Sequence, residues 1–316
     1  MTSLLTISRI SAGLVLSVLL SCSPTTKKNL EEMIEINHNW TFSEKGKELW
    51  MEAAVPGCVH TDLIRNGLIE DPFYRLNEHD VQWIDKKDWE YRTSFEVSEH
   101  ILKYDVVELN FDGLDTYADV YLNNKLILNA DNMFIGWTVN CKQYLKVGSN
   151  SLRIVLKSPI KIGLEKREQL GYYLPGAEND QSELGGLGDK KVTVFTRKPG
   201  YHFGWDWGPR LVSSGIWQGI GLTAWNKASI KDVNIVQEEI TEKIAMLSSV
   251  IEIESVKEAE VDILCFVDSK PVYEDKISLK KGVNSVYIPF SIINPELWWT
   301  NGLGEQKLYE VEVQIK

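Results

Sequence analysis

Val107-Glu108-Leu109-Asn110-Phe111-Asp112 alternates apolar and polar side chains. Successive side chains of an extended segment point to opposite faces, so the stretch predicts a β-strand with Val107, Leu109 and Phe111 turned toward a core. Ala118, Val120 and Leu122 repeat the period. Asn123-Asn124, a pair tolerant of positive φ, then predicts a tight hairpin into Lys125-Leu126-Ile127-Leu128. Leu152, Ile154 and Leu156 give another strand, ended by Ser158-Pro159.

One helical interval follows, about 160–170, and leads into a Gly-rich polar stretch, 171–190, of a length typical of functional loops. Strand signals resume at Val192-Thr193-Val194-Phe195 and close over 215–222. Residues 31–222 thus predict a two-sheet antiparallel jelly roll. Beyond Ala224-Trp225 the spacing changes. Val261, Ile263, Cys265 and Val267 alternate, Val286 to Phe290 follow a Lys280-Lys281-Gly282 turn, and Val311, Val313 and Ile315 alternate again. Short strands at this density predict an immunoglobulin-like sandwich over 223–316, and an all-β fold overall.

The chain has 316 residues, 43% of them hydrophobic, enough for two packed domains. Its formal charge of −11 argues against a nucleic-acid partner, which needs clustered Lys and Arg. At the N-terminus Arg9 precedes an apolar run, Ile10 to Leu20, too short for a membrane span, and residues 1–21 read as an export signal. Leu19-Leu20-Ser21-Cys22 resembles the lipobox of bacterial lipoproteins, with Cys22 the lipidated first residue and 22–30 a tether. An ordinary cleaved signal is the alternative. Both predict an exported protein, periplasmic or held to a membrane only through Cys22. Cys58, Cys141 and Cys265 lack metal-site spacing and predict buried free thiols.

Phe203-Gly204-Trp205-Asp206-Trp207-Gly208-Pro209-Arg210 sets a carboxylate between two indoles. Indole faces stack on the apolar face of a sugar while a carboxylate accepts its hydroxyls, so the constellation suits a carbohydrate. The alternative for Asp206 is a buried aspartate tying a loop through backbone N–H groups. One of Trp205 and Trp207 is expected in the core, because alternate residues of an extended segment share a face. Gly204 and Gly208 suit close backbone approach or unusual dihedrals, and Pro209 stiffens the exit. Glycoside hydrolysis normally needs two carboxylates, about 5 Å apart in retaining enzymes. Glu90, Glu96, Glu108, Glu310 and Glu312 sit on polar strand faces, where solvated structural roles are expected. His60 and His202 lack ligand-spaced partners and read as hydrogen-bonded structural histidines. Arg197 is expected to pair with a carboxylate, and Trp298-Trp299 to pack the sandwich against its neighbour rather than to bind sugar.

Arg197 to Arg210, followed by Ser214-Gly215-Ile216-Trp217, closely resembles the signature of exo-β-mannosidases of glycoside hydrolase family two. Upstream, Val55 to Leu63, Gly67 to Ile69, Asp71 to Tyr74, Asn77-Glu78 and Asp88 to Arg92 are similar to the family's N-terminal block. Phe111 to Asn123 resembles a block shared among family-two sugar-binding domains, and Leu297 to Gln306 with Leu308-Tyr309 the end of the sandwich preceding their barrel. Pro199-Gly200 and Thr300 depart from the pattern in loop detail only.

The resemblance implies a galactose-binding-like jelly roll, a sandwich, and a (β/α)₈ barrel carrying a glutamate acid/base and a glutamate nucleophile. A barrel takes about 250 residues, and the β-pattern runs to Lys316, so the expectation is that this barrel is missing, that both catalytic glutamates lie beyond Lys316, and that residues 1–316 alone are inactive. The matching substrate-binding positions are Asp206, which would orient the terminal mannose before the scissile bond, and Trp205 and Trp207, which would line its pocket. The implied partner is a β-mannoside oligosaccharide or glycan, with no metal or organic cofactor. A free-standing carbohydrate-binding module and another family-two specificity are the alternatives.

Overall fold

The computed structural model describes residues 31–316. The export signal, the tether and Cys22 lie outside the described residues.

Two antiparallel sheets form the first unit. The four-stranded sheet runs in the order Glu31–Glu35, Ile220–Trp225, Val106–Phe111, Trp137–Asn140. The six-stranded sheet runs Met51–Ala53, Trp40–Glu44, Trp89–Val97, Gly148–Lys157, Tyr117–Leu122, Lys125–Ala130. Neighbouring strands within both are antiparallel. This is the jelly roll that the alternation predicts. Val107, Leu109 and Phe111 of one sheet share a buried core with Tyr91, Val120 and Ile154 of the other. The hairpin turns through Asn123 at φ 48° and Asn124 at φ 65°, the left-handed conformation that asparagine tolerates.

Glu108 departs from its expected solvation. It is buried, and its Oε2 accepts from Trp225 Nε1 at 2.9 Å and Lys231 Nζ at 2.7 Å. The alternation is right about the core face, but the second face is covered by partners more than 100 residues away. Val192 to Phe195 is also not a strand. Residues Thr193–Phe195 form a 3₁₀ turn, because Asp180 Oδ2 accepts from the backbone N–H groups of both Val192 and Thr193 at 3.1 Å. Two N–H groups converging on one oxygen curl the chain.

The helix Pro159–Leu170 begins where Ser158 Oγ accepts from Lys161 N at 3.1 Å, with proline at the first turn, and ends at Gly171, φ 72°. It delivers the long loop to one end of the jelly roll.

The second unit is a sandwich of two three-stranded sheets. One runs Ala228–Ile240, Ile244–Ser255, Gly282–Ile293, and the other Lys270–Leu279, Ala259–Val267, Val311–Ile315. Ile251, Ile253 and Ile288 face Val261, Ile263 and Cys265 in its core. Trp298 and Trp299 lie outside this core. They are 54% and 47% exposed, along an open groove of about 770 Å³ with Leu308 and Tyr309. A bridge between Trp298 and Gln306 and the backbone bond from Trp299 N to Glu305 O hold them in a surface turn.

Candidate functional site

The loop that follows the helix has a small core of its own, made by Ile160, Val192, Phe203 and Val212. Phe203, fully buried, ends a 3₁₀ turn, Gly200–Phe203, and fixes the chain just before the Trp-Asp-Trp run. Gly204 then turns the chain away from the core. Its φ is 129°, and a Cβ there would lie 2.5 Å from the Asn179 carbonyl oxygen, so only glycine fits. Gln181 holds the turn from below, accepting from no side chain but taking Phe203 O at 2.9 Å through its backbone N–H and Trp205 O at 3.1 Å through Nε2.

Trp205, Asp206 and Trp207 are thereby displayed at the surface. Trp205 is 39% and Trp207 83% exposed, and their rings meet edge to face at 5.7 Å and 85°. Neither indole is in the core, contrary to expectation, because Phe203 and Arg210 occupy the buried positions on either side. The Asp206 carboxylate is exposed rather than buried beneath backbone N–H groups. Gly208 also differs from expectation: its φ is not positive, and a Cβ would make ordinary contact, 3.6 Å from Trp205 Cβ.

Arg210 closes the run from inside. Its Nη1 lies 2.6 Å from Asp85 Oδ2 and 2.5 Å from Gln82 Oε1, all three residues being buried. Burial pushes the Asp85 carboxyl upward, against the opposing pull of the Arg210 charge.

A second buried pair, which no local sequence pattern marks, reaches the cleft through Ser213. Lys198 Nζ sits 2.6 Å from both oxygens of Asp115, with side chains 0% and 1% exposed. Ser213 Oγ donates to Asp115 Oδ2 at 2.6 Å and stands 3.0 Å from His202 Nδ1. His60, from the helix Val59–Arg65, is 6% exposed with an unpartnered Nδ1. Burial, and then the nearby Lys198 charge, lowers both His60 and His202 to about 4, so both imidazoles are neutral at pH 7. The expected hydrogen-bonded role fits His202 but not His60 Nδ1. Burial likewise lowers Lys198, against the pull of Asp115. Arg197, next in the chain, makes its expected carboxylate pair with Asp131 at 2.8 Å. Of the three cysteines, Cys141 and Cys265 are buried, whereas Cys58 is half-buried on the wall of the site.

Cys58, His60, His202 and Ser213 border a cleft of about 600 Å³ with Phe73, Tyr201, Trp205, Trp207 and Leu211 on its apolar walls, whereas Asp206, between the two indoles in the chain, is not among its lining residues. Glu90, Glu96, Glu108, Glu310 and Glu312 do not line it. Aromatic faces with few polar groups, and a buried cation behind them already neutralised by Asp115, suit a neutral polyhydroxylated ligand better than a phosphate. Among the described residues no cluster of three His, Cys, Asp or Glu is arranged to hold a metal ion.

Residues 40–218 match the model of the glycosyl hydrolase 2 galactose-binding domain-like family. The chain belongs to this family. Beta-mannosidase B of Aspergillus oryzae is 30% identical over 290 residues, 89% of this chain and 33% of the relative. Beta-mannosidase B of Emericella nidulans is 31% identical over the same shares. The beta-D-mannosidase of Dictyoglomus thermophilum superposes with a TM-score of 0.81 at 41% identity, covering 90% of this chain and 34% of that one. The exo-chitosanase of Amycolatopsis orientalis, at 17% identity and a TM-score of 0.67, shares the fold. The chain therefore spans about a third of the length of the relatives it matches.

Proposed function

We propose that this chain is the N-terminal part of an exported, retaining exo-β-mannosidase that removes terminal non-reducing β-D-mannose from oligosaccharides or glycans. Trp205, Asp206 and Trp207 form one wall of the pocket for that mannose, and the acid/base and nucleophile glutamates come from the remainder of the full-length enzyme. The observation that carries this reading is the surface display of Asp206 between two exposed indoles, in a chain 41% identical to a beta-D-mannosidase. A carboxylate left free of protein partners has its lone pairs available to sugar hydroxyls. Its placement on a turn fixed by Phe203 and Gly204 means that little ordering cost remains on binding.

Residues 1–21 direct export in this proposal, and Cys22 carries the lipid anchor that holds the protein to a membrane. Neither metal nor organic cofactor enters the proposed reaction.

The test is Asp206→Ala in the full-length enzyme. A contact that strengthens as the sugar distorts toward its transition state should appear as a roughly hundredfold fall in kcat/KM for β-mannosides, without loss of folding. Unchanged kinetics in a folded variant would refute the assignment of Asp206.

A further inference from the structure

Tyr201 stands on the cleft wall between two fixed points of the chain. Lys198 is locked to Asp115 on one side, and Phe203 is fully buried on the other. Within the short 3₁₀ turn Gly200–Phe203, the anchored Phe203 leaves Tyr201 pointing out, 58% exposed. The ring is not loose. It stacks on His202, with centroids 4.9 Å apart and planes at 22°. His202 is in turn held through Ser213 Oγ, 3.0 Å from its Nδ1, to the buried Asp115. One face of the phenol ring is therefore backed by a fixed imidazole, neutral above about pH 4. The ring borders the same cleft as Phe73 and Trp207, which are 72% and 83% exposed.

A half-exposed aromatic ring held rigidly at a cleft wall leaves apolar area in water that a ligand can cover at little entropic cost. The apolar face of a pyranose is of the right size and chemistry. The Trp205–Trp207 pair is engaged edge to face with itself, whereas Tyr201 is backed from behind by a separate support, so the cleft offers two aromatic platforms rather than one.

We propose that Tyr201, positioned by His202, is a second sugar-stacking platform, which takes the ring following the terminal mannose in substrates of two or more sugars. This rests on the β-mannosidase reading above and extends it to the length preference of the enzyme.

The experiment compares Tyr201→Ala and Tyr201→Phe with the full-length wild-type enzyme on two substrates. One is a linear β-1,4-linked mannotriose. The other is β-mannosyl fluoride, whose leaving group carries no ring. Tyr201→Ala should raise KM for the trisaccharide roughly tenfold, the size of one stacking contact, and leave kcat/KM for the fluoride within about twofold. Tyr201→Phe, which keeps the ring, should match wild type on both. Equal losses of Tyr201→Ala on both substrates would make Tyr201 a support of the terminal-mannose pocket and overturn the proposal, as would no loss on either. A wild-type enzyme that cleaves neither substrate overturns the β-mannosidase reading itself, and this inference with it.

Discussion

Lys198 and Asp115 form a completely buried ion pair behind Ser213 of the cleft wall, with the ammonium 2.6 Å from both carboxylate oxygens. Two charges taken out of water are tolerable only together, because removing one strands the other in a medium that cannot solvate it. Lys198→Met should therefore lower the unfolding free energy by about 3–5 kcal/mol. Lys198→Met combined with Asp115→Leu, which removes both charges, should recover most of that loss. Urea denaturation midpoints of the three proteins check this, and a double variant as unstable as the single one would contradict it.

Acid should weaken the fold through the two histidines of the cleft. Both are pushed from the ordinary 6.5 to about 4, by burial first and by the Lys198 charge second. Below pH 6.5 the unfolded chain takes up protons that the folded chain refuses. Their contribution is thus complete above about pH 6.5 and is lost as the pH falls toward 4. For the deeply buried His60 the loss amounts to about 3 kcal/mol by pH 4. Urea midpoints of wild type and His60→Asn at pH 7 and pH 4.5 should show a shallower fall in the variant. Parallel falls would remove His60 as the source.

Gly204→Ala should damage the loop more than its small size suggests. The φ of 129° is one that residues with a Cβ rarely adopt, and the added carbon would meet the Asn179 carbonyl at 2.5 Å. The expected cost is about 1–3 kcal/mol, concentrated in the loop. Limited proteolysis should cut within residues 171–190 faster in the variant, and on the proposed function β-mannoside turnover of the full-length enzyme should fall. Gly208→Ala, where the Cβ makes only ordinary van der Waals contact with Trp205, serves as the control and should leave the rate of cutting unchanged.

Thiol chemistry offers a separate probe of the cleft. Burial pushes the Cys141 thiol up to about 12 and raises that of Cys265, while Cys58 is half-buried on the cleft wall. In a protein carrying Cys22→Ser, a thiolate-directed reagent should label Cys58 alone under native conditions, and all three cysteines after denaturation. Peptide mapping distinguishes them. Native labelling of Cys141 would contradict the packing described here.

The parts of the fold that the sequence made legible are those decided by neighbours in the chain. Val107, Leu109 and Phe111 announce a strand because period-two alternation is a local pattern, and Asn123-Asn124 announce a hairpin because the φ tolerance belongs to the residues themselves. Ser158-Pro159 and Gly171 bracket the helix for the same reason. What escaped depends on distant partners. Val192 to Phe195 has strand-like composition, but Asp180 bends it. Glu108 looks solvated until Trp225 arrives from the strand Ile220–Trp225 and Lys231 from the first strand of the second unit. Lys198 and Asp115 are separated by 83 positions, and nothing local in either marks it as half of a pair. At the rim, the motif drew attention to Asp206 and its flanking indoles, but only the turn at Gly204 determines that both indoles face outward.

The small core of Ile160, Val192, Phe203 and Val212 gives the loop an attachment that does not pass through the two sheets. Residues at its outer edge, Trp205 to Trp207, share few partners with the residues that hold the jelly roll together, so changes there should leave global stability nearly unaltered. For an evolving lineage this separates two selective pressures. On the proposed function, the scaffold can stay fixed while the rim drifts toward new sugars, and specificity can change by single substitutions that no stabilising mutation has to precede.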